Sequence, residues 1–252
     1  MQDIFALPIE ELQDLFVAAG LKKFRAKQVF QWLYQKSVFD FAAMHNLSKA
    51  DIAVLQEKFT VLPHSLEILR EQNSSDGMTS KLLLGLPDGN SVETVLMHHD
   101  YGYSVCVSSQ VGCGMGCPFC ATGQLGLTRN MSAGEIVEQV RVAAKAMRDG
   151  EVAGGSGRLS NIVFMGMGEP MGNYKSVLSA VRQISSMPPE GFGISARNIT
   201  VSTVGVVPGI RKLAEEGIPV RLAVSLHAPS DELRDELVPM NKRFNTKQVL
   251  DA

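Results

Sequence analysis

The spacing of apolar residues changes period along this chain. Over about the first sixty positions it follows the helical repeat. "LPIEELQDLFVAAGL" puts Leu12, Leu15 and Phe16 on one face, with Pro8 and Glu10–Glu11 suited to a helix start and Gly20 to its stop. "FRAKQVFQWLYQK" continues in the same manner. "NLSKADIAVLQEKF" opens on Ser48 with Asp51 three residues on, a capping box. From about residue 66 the period falls toward two. "SKLLLGLPDGNSVETVLMHH" reads as two strands around Pro87-Asp88-Gly89-Asn90, a hairpin signal, and "YSVCVSSQ" as a third strand. The chain then alternates. Helices are expected at "SAGEIVEQVRVAAKAMR" (a second capping box, Ser132 with Glu135), "NYKSVLSAVRQISSM" and "VPGIRKLAEEG". Strands are expected at "NIVFMGMG", "RNITVSTV" and "PVRLAVSLH", followed by a loop, "APSDELRDELVPMNKRFN", and the first turns of a helix, "TKQVLDA".

Strands and helices alternating at this length indicate an α/β fold of parallel βα units, whose ligand sites lie at the C-terminal ends of the strands. Four strand ends should therefore converge: Cys106 to Gln110, Gly166 to Glu169, Ser202–Thr203, and Ser225 to His227. "GGSG" at Gly154–Gly157 reads as a flexible loop tip. Four parallel strands ending inside a helix would leave an unpaired apolar edge, and a complete barrel needs more units, so the chain reads as a fragment of something longer. The expected organisation is a small helical domain over 1–62, a β-hairpin extension over 63–100 and a partial barrel over 101–252.

Apolar residues make up 45% of the 252 and charged ones 20%, the balance of a globular protein with a substantial core. No apolar run approaches the ~18 residues of a membrane span. The start, "MQDIFALPIEEL", is acidic where a signal peptide is basic, so the chain is expected in the cytoplasm. A net charge of −2 gives no global attraction to nucleic acid, so such a partner would need a local patch. One exists: Lys22, Lys23, Arg25, Lys27 and Lys36 run without an acidic residue, interleaved with Phe24, Phe30, Trp32 and Tyr34. The plainer reading is a solvated face whose aromatics belong to the core.

All four cysteines fall within "CVSSQVGCGMGCPFCATG": Cys106, Cys113, Cys117 and Cys120. In a cytosolic chain such clustering suggests a metal or catalytic site rather than disulfides. Three thiolates spaced C-x3-C-x2-C suit one face of a [4Fe–4S] cube and leave the fourth iron open. Zinc held by all four cysteines is the competing reading. Against it, structural zinc sites usually come as two C-x2–4-C pairs, and Cys106 alternates with Val105 and Val107 on a strand.

The cysteine spacing, with Phe119 before the last thiol, is the signature of radical S-adenosylmethionine (SAM) enzymes. "VETV", "CVSSQVGCGMGCPFCATG", "FMGMGEPMGN", "ITVSTVGVVPGI" and "LAVSLHAPSDELRDELVPMNKRF", in this order, resemble more narrowly the RlmN-type rRNA and tRNA adenosine C2 methyltransferases. The resemblance runs from about residue 5 to the last. It implies a partial (βα) barrel of the radical SAM type, incomplete at the C-terminus and preceded by the helical domain and hairpin. Cys113, Cys117 and Cys120 would ligate the [4Fe–4S] cluster. Gly168, Glu169, Ser202, Ser225, Leu226 and His227 match the segments that hold S-adenosyl-L-methionine.

The family's logic also implies a role for the cysteine that stands apart. A methyl group is carried on a cysteine near the C-terminus, and a radical formed on it adds to C2 of adenine. Cys106 matches the thiol that resolves the resulting tether by forming a disulfide. Glu93 of "VETV" matches the base that takes the C2 proton. The implied partners are 23S rRNA and tRNA, bound partly by the helical domain, and an electron donor such as flavodoxin or ferredoxin. A monomer is expected. The chain has no further cysteine to carry the methyl group, so turnover by this chain alone is not expected. The alternatives are adenosine C8 methylation, as in a related resistance group, and a non-enzymatic zinc-containing RNA-binding protein.

Overall fold

The computed structural model describes residues 1–5, 7–36, 38–61, 66–148, 150, 157–188 and 190–252. The expected loop tip at Gly154–Ser156 and the boundary at 62–63 lie outside these residues. β1 (Gln2–Asp3) pairs in parallel with β2 (Phe59–Thr60) and draws together the two ends of the helical segment. Between them lie α1 (Ile9–Ala18), α2 (Arg25–Phe30) running into a π turn over Gln31–Gln35, and α3 (Lys49–Lys58). α1 buries Leu12 and Phe16, and Gly20 ends it at φ +86. α3 begins on the expected capping box: Asp51 N–H donates to Ser48 Oγ at 3.1 Å, and Ser48 N–H to the Asp51 carboxylate at 3.3 Å.

These helices do not stand apart from the rest. One continuous apolar core runs from Ile4 through Phe30, Leu33 and Tyr34 to Ile199 and Val201. Phe30 and Tyr34 are core residues, stacked at 5.0 Å, so the plainer reading of the aromatic run holds for them. Gln183 donates across the junction to Phe5 O at 3.1 Å. Arg141, bound to Glu138 in a buried ion pair, lies over the Phe39 ring at 4.6 Å.

A seven-stranded mixed sheet forms the second part, in the order β11-β10-β9-β6-β5-β4-β3. β3 (Glu67–Asn73), β4 (Thr79–Gly85), β5 (Ser91–His99) and β6 (Gly102–Cys106) are antiparallel neighbours. β6, β9 (Leu159–Phe164), β10 (Ile199–Thr203) and β11 (Arg221–Val224) are parallel. The hairpin turn at Pro87–Asn90 is where the dipeptide signal put it, with Asn90 N–H donating to Asp88 at 3.1 Å. β3 has no alternation because each of its residues is exposed, so no period marks it in the sequence. β11 is the other edge and carries exposed Leu222 and Val224, the apolar edge that four parallel strands should leave.

α5 (Ala133–Arg148), α6 (Tyr174–Ser185) and α7 (Val207–Glu215) are the crossovers. On the opposite face of the sheet, register places Val95, Cys106, Val163, Thr200 and Arg221 in one row. The segment expected to be a loop after β11 contains a helix instead, α8 (Asp231–Leu237), followed by α9 (Thr246–Asp251). Ser230 caps α8, Leu233 N–H reaching its Oγ at 3.4 Å, and seven residues are too few to show a period. No described helix is long and apolar enough to cross a membrane.

Candidate active site

The cysteine loop is built by a short ribbon, β7 (Gln110–Gly112) against β8 (Leu127–Asn130). Gly112 sits at φ +76, and a Cβ there would stand 1.9 Å from Gly126 O, so the ribbon can close only on glycine. Cys113 N–H donates to that same carbonyl at 2.9 Å. α4 (Ala121–Gln124) starts directly after Cys120, and Gly123 packs so tightly on Cys117 that a Cβ would meet its carbonyl at 2.9 Å. Arg129 fastens the ribbon from outside. It donates to Asp88 Oδ2 at 2.6 Å and grips both oxygens of Glu135 at 2.8 and 2.9 Å. Its guanidinium, with Asn90 second, holds the Asp88 carboxyl far below the usual carboxylate range.

Cys113, Cys117 and Cys120 face one cavity of about 390 Å³ at the C-terminal ends of β9, β10 and β11. Gly166, Gly168, Glu169, Ser202, Ser225 and His227 complete its wall. Gly168 is in the left-handed region, and a Cβ on it would meet Gln110 Cβ at 2.5 Å. Glu169 is 3% exposed and uses both carboxylate oxygens internally, accepting from Met171 N–H at 3.0 Å and Val204 N–H at 2.9 Å. Burial pushes its pKa up, and the bonds from Val204, Thr203 and Met171 work against that. Ser202 and Ser225 bring their hydroxyls within 3.2 Å across neighbouring strands. His227 is the one described non-glycine residue at positive φ (61°), and its ring meets Phe119 at 4.7 Å. Strained backbone of this kind costs about 1–3 kcal/mol and gathers at functional sites. A second cleft of about 440 Å³, between the start of α1 and α6, contains none of these residues.

Three comparisons bear on this cavity. Residues 107–252 match the model of the radical SAM superfamily, and residues 2–61 that of the ribosomal RNA large subunit methyltransferase N-terminal domain. The chain belongs to the radical SAM superfamily, in its RlmN branch. A protein of Bifidobacterium adolescentis named "Probable dual-specificity RNA methyltransferase RlmN" is 73% identical over 92% of this chain and 60% of its own length. A Thermobifida fusca protein of the same name is 54% identical over 96% and 66%. A solved radical SAM methyltransferase from Sphaerobacter thermophilus superposes with a TM-score of 0.89 and 44% identity, covering 100% of this chain and 71% of that one. The chain thus spans about 60% of the length of the first two RlmN relatives it matches.

The radical SAM family implies a [4Fe–4S] cluster and SAM, and the thiols fit such a group. Burial raises the Cys117 thiol above its ordinary pKa, and the neighbouring Cys113 and Cys120 raise it further. Three thiolates in one cavity cannot ionise together without a cation, and bound metal supplies that charge.

Three of the expected site residues are not in the cavity. Cys106 ends β6 on the open face of the sheet, its thiol raised by burial and partly offset by a hydrogen bond from the Met165 backbone. Glu93 lies on the same face, and its carboxylate pairs with Lys81 at 2.9 Å. Leu226 does not line the cavity, and its carbonyl accepts from Arg234 at 3.0 Å. Of the strand ends expected to converge, the first acts from behind: Gln110 accepts from Glu169 N–H at 2.8 Å, and Ser108 accepts from Met167 N–H at 2.9 Å. Gln110 is expected only as the last residue of a converging strand end. Asn173, whose amide donates to Ser109 O at 2.8 Å and Met131 O at 2.7 Å, and Arg234 are not among the expected site residues. Their only signal is that they lie inside the quoted blocks, because a neutral amide or a helical arginine shows no chemistry until its partners are known.

Proposed function

We propose that this protein performs the cluster and cofactor chemistry of a radical SAM RNA methyltransferase that acts on C2 of adenosine in 23S rRNA and tRNA. The convergence of three thiols with Gly168–Glu169, Ser202, Ser225 and His227 on one cavity carries this reading. Cys113, Cys117 and Cys120 would hold the [4Fe–4S] cluster, and the Gly168–Glu169 and Ser225–Leu226–His227 segments with Ser202 would hold SAM. The bound pair supplies one-electron, hydrogen-abstracting chemistry, while the protein orients it and keeps water out. The N–H groups of Met171 and Val204 fix the Glu169 carboxylate, and with it the segment that would meet the methionine end of SAM.

Cys106 is read as the resolving thiol and Glu93 as the base at C2. Both lie on the open face of the sheet, and Lys81 keeps a positive charge beside Glu93. The helical module of 1–62 is read as an RNA contact, the segment 63–100 as an extension of the sheet and 101–252 as the catalytic part. A target adenine must leave its stack to reach such a cavity. A flavodoxin- or ferredoxin-like electron donor, a monomeric state and a cytoplasmic location belong to the same reading.

Anaerobic reconstitution with iron and sulfide tests it. A brown protein whose reduced paramagnetic resonance signal changes when SAM is added is the expected result. A colourless protein with one tightly held zinc would overturn it.

A further inference from the structure

Arg234 is the largest fully buried side chain of the described residues, with 0% of it exposed. Its hydrogen-bond partners are three neutral acceptors: Leu226 O at 3.0 Å, Val204 O and Asn241 Oδ1. A buried cation normally sits against a carboxylate, because leaving water unpaired is costly. Here the carboxylates of Asp231 and Asp235 stand behind Asn241, whose amide donates to them at 3.2 and 2.7 Å. The two carbonyls belong to the segments that leave β10 and β11. Those segments carry Ser202 and Thr203 on one side and Ser225 and His227 on the other, the wall of the thiol cavity. A planar guanidinium fork can reach both carbonyls and Asn241 at once, which an ammonium cannot.

We infer that Arg234 is a positioning residue of this cavity: its fork fixes the spacing between the ends of β10 and β11. The inference rests on the cavity being the cluster and SAM site. The fork spaces the Ser202 and Ser225 hydroxyls and holds the backbone just before His227, whose left-handed conformation follows directly on the clamped Leu226 carbonyl.

Two substitutions test the fork. Arg234→Lys keeps the charge and loses the fork, whereas Arg234→Gln loses both. SAM affinity, measured by equilibrium titration of the reconstituted protein, should weaken about 10- to 100-fold in both, the usual effect of removing a supporting partner. The iron and sulfide content should match that of the unsubstituted protein in both, which separates a misplaced wall from a collapsed one. Asn241→Ala removes one acceptor and leaves the arginine. It should show a smaller loss of SAM affinity, and it serves where a direct variant fails to fold. Variants that assemble the cluster and match the unsubstituted protein in SAM affinity would overturn the inference alone. An unsubstituted protein that takes up no cluster would instead overturn the reading of the cavity, and the inference with it.

Discussion

Gly168 leaves the backbone almost no freedom. Its φ of +97 and a would-be Cβ 2.5 Å from Gln110 Cβ and 2.8 Å from Gln110 N mean that even alanine must push β9 and β7 apart. Gly168→Ala should cost about 2–4 kcal/mol through strain and overpacking, read as a lower denaturant midpoint, and should weaken SAM binding. An unchanged midpoint would refute the close approach. Asp51 gives a test by pH. The Ser48 hydroxyl, with Arg25 helping and burial opposing, holds its carboxyl below the ordinary value of 3.8. The unfolded chain then binds the proton more readily, so this contribution is full above about pH 3.8 and is lost as pH falls through the lower folded value. Asp51→Asn should flatten the acid limb of the stability profile and cost about 1 kcal/mol near pH 7 through the weakened cap. An acid limb of unchanged slope would show that the cap does not titrate. At this scale the thiols are legible from their spacing, and Ser202, Ser225 and His227 as converging strand ends whose role only the resemblance supplies. Arg234 is not, because its work is to hold backbone groups that only the fold brings near.

Among the elements, those with a period were legible and those formed by their partners were not. α1, α3, α5 and the β4–β5 hairpin carry caps, alternation or a turn dipeptide within their own residues. β3 is exposed along its length, β8 is four residues with little burial, and α8 has barely two helical turns beyond its cap. β8 matters most, since it closes the cysteine loop and depends on Arg129. That side chain is about one-third exposed and joins the hairpin turn, the ribbon and the start of α5. Arg129→Met should cost about 1 kcal/mol or less in global stability, as a partly screened ion pair does. It should nonetheless speed amide exchange markedly across 112–130, and exchange confined to its wild-type rate would show that the ribbon holds without the clamp.

Across the whole molecule, two expectations depend on how the helical segment sits on the sheet. Of its basic residues, Arg25 is engaged by Asp51 at 2.8 Å and Lys27 by Glu190 at 3.0 Å, while Lys22 and Lys23 are exposed beside half-exposed Phe24. Reversing Lys22 and Lys23 to Glu should therefore reduce the salt slope of RNA affinity by about 0.7–0.9 per lost phosphate contact, and Lys27→Glu by less. Equal slopes in all variants would remove the patch from the RNA surface. The second expectation concerns folding. Three expected segments meet in one core, with Tyr34, Phe5 and Gln183 hydrogen-bonded across the junction and Phe192 edge-on to Tyr34 at 5.7 Å. A shared core couples its parts, so calorimetry should show one transition rather than a helical melt followed by a sheet melt. Gln183→Ala removes both bonds to the helical segment and leaves the sheet untouched. If the coupling is real, it should lower the single midpoint by about 2–4 °C per kcal/mol lost, without splitting the peak. Two resolved peaks, with only the first moved by Gln183→Ala, would mean that the helices unfold on their own and that the contacts at the junction are too weak to bind the two parts into one cooperative unit.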